Sequence, residues 1–179
     1  MLTEGWVTNI IIIINYHTER REYKKNENSE SVQKIYIVSE EDSVCPLCIG
    51  ELTVIGSRDR ILIYDTGDKE TLVIRRLRCV ECGKIHHELP DIIIPYKRHC
   101  ADTIEKIISG KNDICCDYVT EHRIKTWWAA FNQNFENAKM SIKMKYNELI
   151  SSKLTPRKIV RLIINLNLWV HTRTAMTPV

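Results

Sequence analysis

The stretch Cys45-Pro46-Leu47-Cys48, repeated downstream as Cys79-Val80-Glu81-Cys82, decides how this chain is read. Each pair holds two residues between its cysteines, and thirty residues, Ile49 to Arg78, separate the pairs. Four thiolates presented two by two suit a tetrahedral, borderline-soft ion such as Zn²⁺, which takes sulfur at about 2.3 Å. Two intervening residues let a tight turn aim both sulfurs at one ion. Gly50 and Gly83 lie just past the pairs, where such a turn often needs a positive φ that glycine adopts cheaply. A redox CxxC would need a single pair in a βαβ setting. A disulfide framework would need marks of secretion that the chain does not show.

The insert between the pairs reads as a hairpin. Leu52 to Ile55 and Arg60 to Tyr64 are rich in β-formers, Asp65-Thr66-Gly67-Asp68 is a turn, and Thr71 to Leu77 is β-rich again. Two knuckles joined by strands make a zinc ribbon, with Cys45, Cys48, Cys79 and Cys82 as ligands of one structural Zn²⁺. His86 and His87 follow the second knuckle. A four-cysteine site is already closed, so both are read as part of a third ribbon strand, with replacement of one cysteine by a histidine left open.

The net charge of +3 says little, but its distribution says more. Residues 1–119 carry a net charge of −4 and residues 120–179 a net charge of +7. A basic C-terminal third implies an anionic partner, nucleic acid before membrane, or else a solvated helical face. Three cysteines remain outside the knuckles, Cys100, Cys115 and Cys116, and an odd remainder beside a metal pattern points to a reducing, cytoplasmic setting. The apolar run Ile10 to Ile14 is far short of the roughly 20 residues of a membrane span. No basic segment precedes it and no cleavage site follows, so no signal peptide is expected.

Ile10 to Tyr16 reads as a strand covered on both faces. His17 to Lys34 is charged, with few apolar anchors, and reads as a linker or loop. Ile35 to Val38 is a short strand leading to the first knuckle. From Tyr96 the period becomes helical. Ala101 to Ser109 places Ile104, Ile107 and Ile108 on one face, with Gly110 as a stop. A short helix capped by Asn112 or Asp113 is expected to run through Cys116. Thr120 then caps a helix whose Ile124, Trp127, Trp128, Phe131 and Phe135 form an apolar stripe. Cys115 and Cys116 are read as small packed hydrophobes. Helix continues over Asn137 to Ser152, and Thr155-Pro156 opens another that is apolar nearly all round from Ile159 to Val170. Arg157, Lys158 and Arg161 oppose the dipole of that helix, so packing overrides the conflict or an anion sits nearby.

Helix, turn and capped helix with an apolar anchor form the pattern of a helix-turn-helix. Its recognition helix would offer Glu121, His122, Arg123, Lys125 and Thr126 to the major groove. Arg76, Arg78, Lys97 and Arg98 would hold phosphates. Arg76 and Arg78 share one face of a strand, and Arg75 points the other way.

The knuckle Cys45-Pro46-x-Cys48-x-Gly50, the residues Gly56, Ser57, Arg58 and Arg60, and Ile74-Arg75-Arg76-Leu77-Arg78-Cys79-x-x-Cys82 carry a resemblance. It continues through Ile85-His86-x-Glu88-Leu89-Pro90-Asp91 and Pro95-Tyr96-Lys97-Arg98. The chain resembles a family of Gram-positive bacteria, a domain of unknown function that often sits with mobile elements. Its first half is also similar to the N-terminal zinc-binding region of insertion-sequence transposases, which joins a two-CxxC ribbon to a helix-turn-helix. The resemblance spans about residues 10–135, and Asn165–Ala175 continues it. It implies DNA-associated function in a transposon setting, by analogy of family alone. The 43 residues after Glu136 are too few for a DDE-type nuclease core.

The expected fold is α+β, a small antiparallel zinc ribbon followed by an all-helical, helix-turn-helix-like region. The expected divisions are 1–41 for an N-terminal strand and linker, 42–95 for the ribbon, 96–136 for the helix-turn-helix-like domain and 137–179 for C-terminal helices. The expected function is non-catalytic, sequence-specific binding of duplex DNA by an accessory factor or regulator of a mobile element. The alternative is an adaptor that binds a transposase or another protein. The isoleucine strand offers a seam for a homodimer. No nucleophile with a paired base, phosphate loop or open metal site is visible, so no enzyme is expected. Asp91, Asp102 and Glu105 are read as surface and helix-start residues.

Overall fold

The computed structural model describes residues 10–23, 32–111, 113–146 and 154–165. Among these, six strands run in order β1 (Ile10–Ile14), β2 (Tyr16–Tyr23), β3 (Val32–Ser39), β4 (Leu52–Ile63), β5 (Lys69–Cys79) and β6 (Ile85–Pro90). Three helices follow, α1 (Ala101–Ile108), α2 (Tyr118–Tyr146) and α3 (Pro156–Asn165). The strands form one mixed sheet in the order β1-β6-β5-β3-β2, with β4 paired to β5 outside that path. The expected small antiparallel ribbon followed by an all-helical region is therefore corrected. The ribbon hairpin is part of a six-stranded sheet, two of whose pairings, β1 with β6 and β3 with β5, are parallel.

The chain divides into two compact units, residues 1–60 with 72–90, and residues 61–71 with 91–179. In the first, the isoleucine run pairs with β6 from Ile10↔His86 to Ile14↔Pro90. Ile11, Ile13 and Ile14 are buried, as are Leu72, Val73, Ile74, Leu77 and Leu89 of the same unit, which is why the run lacks the alternation of a half-exposed strand. The segment expected to be a linker holds β2, which pairs with β3 over the whole register from Tyr16↔Ser39 to Tyr23↔Val32. Composition misleads there because β2 is an edge strand. Its charges suit exposure and discourage a further partner, while the ladder to β3 and Arg21 over the Tyr36 ring hold it in place. The rest of that segment, 24–31, lies outside the described residues.

The second unit packs three helices with the turn of the β4–β5 hairpin. Ile124, Trp127, Phe131 and Phe135 of α2 are buried, as are Ile104 and Ile107 of α1 and Ile159, Val160, Ile163 and Ile164 of α3. The helix-turn-helix expectation is corrected here as well. Residues 113–117 form no helix, so α1 ends at Ile108 and α2 begins at Tyr118 without a tight turn. Asp117, not Thr120, caps α2, accepting from the Thr120 amide at 2.8 Å and the Thr120 hydroxyl at 2.6 Å. Cys115 is exposed. Lys158 of α3 is exposed, so α3 is amphipathic over its described length.

Arg157 at the start of α3 meets its anions within the fold. Its amide donates to Glu105 Oε1 at 2.9 Å, and its guanidinium meets the carboxylates of Asp102 and Asp91. The carboxylate of α1 thus caps the N-terminus of α3, answering the unfavourable charge at that end. No described helix is long and apolar enough to cross a membrane.

Candidate functional site

The two CxxC turns fold alike. At the first, the Cys45 amide donates to Gly50 O at 3.0 Å and the Ile49 amide donates to Cys45 O at 2.8 Å. At the second, the Cys79 amide donates to Lys84 O at 2.9 Å and the Gly83 amide donates to Cys79 O at 3.1 Å. The Val80 amide donates to Glu51 O at 3.0 Å and ties one knuckle to the other. In this frame Ile49 and Gly83 are equivalent, and both take left-handed backbone, φ 63° and φ 68°. Gly50 serves a different purpose. A Cβ there would stand 2.6 Å from Glu81 Cγ and 3.0 Å from Cys79 Sγ, so its small size lets the second knuckle close on the first.

A β-branched residue in left-handed backbone is strained by about 1–2 kcal/mol. Ile49 is 79% exposed, so its side chain contributes little burial in return. Ile49→Gly should therefore raise stability by about 0.5–1 kcal/mol, after the extra entropy that glycine gains in the unfolded chain. Thermal melting of the metal-loaded protein checks this, and an unchanged or lower midpoint would count against the strain.

The four sulfurs lie within 4.8 Å of one another and could hold a metal ion. Cys45 Sγ is 3.7 Å from Cys82 Sγ, and Cys48 Sγ is 3.5 Å from Cys79 Sγ. Sulfurs at about 2.3 Å from a central ion would stand about 3.8 Å apart in a regular tetrahedron, so the spacing fits. The thiols do not share one affinity for protons. The Cys82 amide, with help from neighbouring groups, holds the Cys79 thiol down at about 7. The Gly50 amide pulls Cys48 the same way, but the adjoining thiols and burial outweigh it and push Cys48 up to about 12. Four thiolates cannot share this space without a cation among them.

His86 is fully buried, with Nε2 3.4 Å from Cys45 Sγ. It flanks the cluster and is not one of its four donors. Contacts of this kind orient a ligand and moderate thiolate charge. His87, its neighbour, belongs to different surroundings. Burial first, then Arg58, Arg76 and Arg60, press its pKa down to about 4. Arg76 stands opposite His87 in the β5–β6 register, and Arg78, two residues along, shares that face. Arg75 points the other way, where its Nε donates to Glu88 Oε2 at 2.6 Å.

The DNA-facing residues named from sequence scatter. Lys97, Arg98 and Arg123 line one cleft of the second unit. Lys125 is paired with Glu121. His122 stacks on Tyr118, and the Thr126 hydroxyl donates to the His122 carbonyl at 2.9 Å. Arg76 and Arg78 lie in the first unit with Arg58 and Arg60. The last two were legible only as part of a resemblance, because their approach to β6 depends on strand pairing. The buried Glu88, bound by Arg75 and by the Ser43 hydroxyl at 2.7 Å, had no signal beyond its place on a strand.

No curated protein and no solved structure matches the chain. Residues 45–127, which run from the first knuckle into α2, match the family model of a domain of unknown function, DUF6431.

Proposed function

We propose that this chain is a non-catalytic DNA-binding protein whose fold is held by one Zn²⁺ on Cys45, Cys48, Cys79 and Cys82, and that arginines of the ribbon strands contact the duplex backbone. The observation that carries this reading is the arginine group facing His87. Arg58 and Arg60 from β4 and Arg76 from β5 all bear on one imidazole. The nearby carboxylates are engaged elsewhere, Asp59 with Lys34 and Glu88 with Arg75. Among the described residues Arg58, Arg76 and Arg78 have no carboxylate partner. Like charges gathered on a sheet face without counter-charge repel one another, and a phosphate backbone relieves that repulsion. The zinc supplies folding and rigidity to the strands that carry them.

The test is fluorescence anisotropy with a random-sequence duplex over a salt series. Binding should weaken steeply with salt. Replacing Arg58, Arg76 and Arg78 together with glutamine should lower the slope of log affinity against log salt by about 3, roughly one per lost phosphate contact. Retention of the wild-type slope by the triple variant, or no salt-dependent binding at all, would refute the reading. A protein-binding adaptor has one observation in its favour. Val44, Leu47, Ile49 and Val80 at the knuckles and Val54, Ile55 and Ile61 on β4 are exposed apolar side chains. An adaptor would hold its partner with little dependence on salt.

A further inference from the structure

The second unit contains a cleft of about 610 Å³, within the range typical of small-molecule sites. Its walls are tied in place by backbone bonds. The Ile63 amide donates to Arg98 O at 2.9 Å, the Cys100 amide donates to Ile63 O at 2.9 Å, and the Cys115 amide donates to Asp65 O at 2.7 Å. The hairpin turn, the 96–99 segment and the start of α2 therefore form one frame. Into it come Lys69, Lys97, Arg98 and Arg123.

None of these four cations has a carboxylate partner among the described residues. Asp117 is the one acidic residue of the lining, and both its carboxylate oxygens are used in capping α2. The other carboxylates nearby are spent in pairs, Asp65 with Lys106 and Glu121 with Lys125. Lys97 differs from an ordinary surface lysine. It is partly buried, with Nζ 4.2 Å from the centre of the Trp127 ring, and burial lowers its pKa to about 8. An ammonium in that position gains more from an anion than one in open water does. Tyr96 stands at the lip, half exposed and in left-handed backbone, φ 63°. Non-glycine residues held in this region of φ, ψ recur at ligand clamps.

We propose that this cleft binds a nucleotide, with its phosphates against Lys97, Arg98 and Arg123 and its base against the Tyr96 ring. Phosphate answers cations that lack carboxylates, and an exposed aromatic ring next to them provides a surface for stacking. The volume suits a single nucleotide better than a duplex face, which needs a broad and shallow contact. The proposal stands apart from the DNA reading, since its residues belong to the other unit.

The experiment is isothermal titration of the zinc-loaded full chain with two probes, inorganic pyrophosphate and adenosine diphosphate. Saturable binding of both is expected, with adenosine diphosphate the tighter. Arg98→Gln and Arg123→Gln, both on exposed side chains that leave the core intact, should each weaken both probes about tenfold. Tyr96→Gly, which keeps the backbone conformation, should weaken adenosine diphosphate and leave pyrophosphate unchanged. The triple arginine variant of the ribbon strands should bind both probes as the wild type does. Absence of saturable binding at millimolar probe would overturn the proposal, as would wild-type affinity in both arginine variants. Loss of duplex binding by Arg98→Gln and Arg123→Gln, with no response to either probe, would overturn it too and assign the cleft to the DNA surface.

Discussion

Cys79→Ser is expected to unfold the knuckle unit and to leave the protein without stoichiometric metal. Cys79 is buried, its sulfur contacts Cys48 Sγ at 3.5 Å, and it accepts from the Cys82 amide at 3.5 Å. Serine at this position removes a soft ligand from a site whose donors are all sulfur. Structural Zn²⁺ contributes about 10–16 kcal/mol in small zinc domains, as much as the whole stability of a typical domain, about 5–15 kcal/mol. The second knuckle joins the end of β5 to the start of β6, so loss of the ion leaves that junction without an anchor. Elemental analysis of the purified wild-type protein should give one zinc per chain. A chelator should lower its melting midpoint by tens of degrees, and added zinc should restore it. A metal-free wild-type protein that melts as the loaded one does would remove the metal from this fold.

Arg75→Met should cost about 2–3 kcal/mol, because it strands a buried carboxylate. Glu88 is 1% exposed and is held by two groups, Arg75 Nε at 2.6 Å and the Ser43 hydroxyl at 2.7 Å. Removing one partner of a buried pair typically costs about 3–5 kcal/mol. Arg75 is 35% exposed, so solvent screens part of the interaction and the expected loss is set at about 2–3 kcal/mol. The double variant Arg75→Met/Glu88→Leu should recover most of that loss, since replacing both partners leaves no buried charge unpaired. Urea unfolding at neutral pH, with zinc in excess, measures all three proteins. A loss below about 0.5 kcal/mol for Arg75→Met would show that water reaches Glu88 and that the pair contributes little.

The two sites differ in how local their causes are. The cysteine cluster was legible because CxxC spacing is itself local geometry: two residues between cysteines produce the turn that aims both sulfurs, whatever surrounds it. The Glu88 pair was not legible, since a strand glutamate reads as exposed until the pairing of β6 with β1 and β5 covers it. The same limit applied to β2, whose charges suggested a loop. Its strand character comes from β3, a partner that local propensity does not show.

Taken alone, the sequence determined the four clustered cysteines, the hairpin between them, the apolar stripe of α2 and the stop at the end of α1. These follow from spacing, turn chemistry and helical period, which act over a few residues. Tertiary structure decided the rest. It joined the isoleucine run to β6 in parallel and set the six-stranded order. It also left residues 113–117 without the short helix expected there, and it gave α3 a cap from Glu105, fifty-two residues away. It placed left-handed backbone at Ile49, although Gly50 was the residue suited to it, because the knuckle hydrogen bonds fix which position must turn. Lys97, Arg98 and Arg123 came to one cleft for the same reason. Hydrogen bonds and burial between distant segments outweigh local preferences of a few tenths to about 1 kcal/mol per residue, and only the folded chain specifies which segments meet.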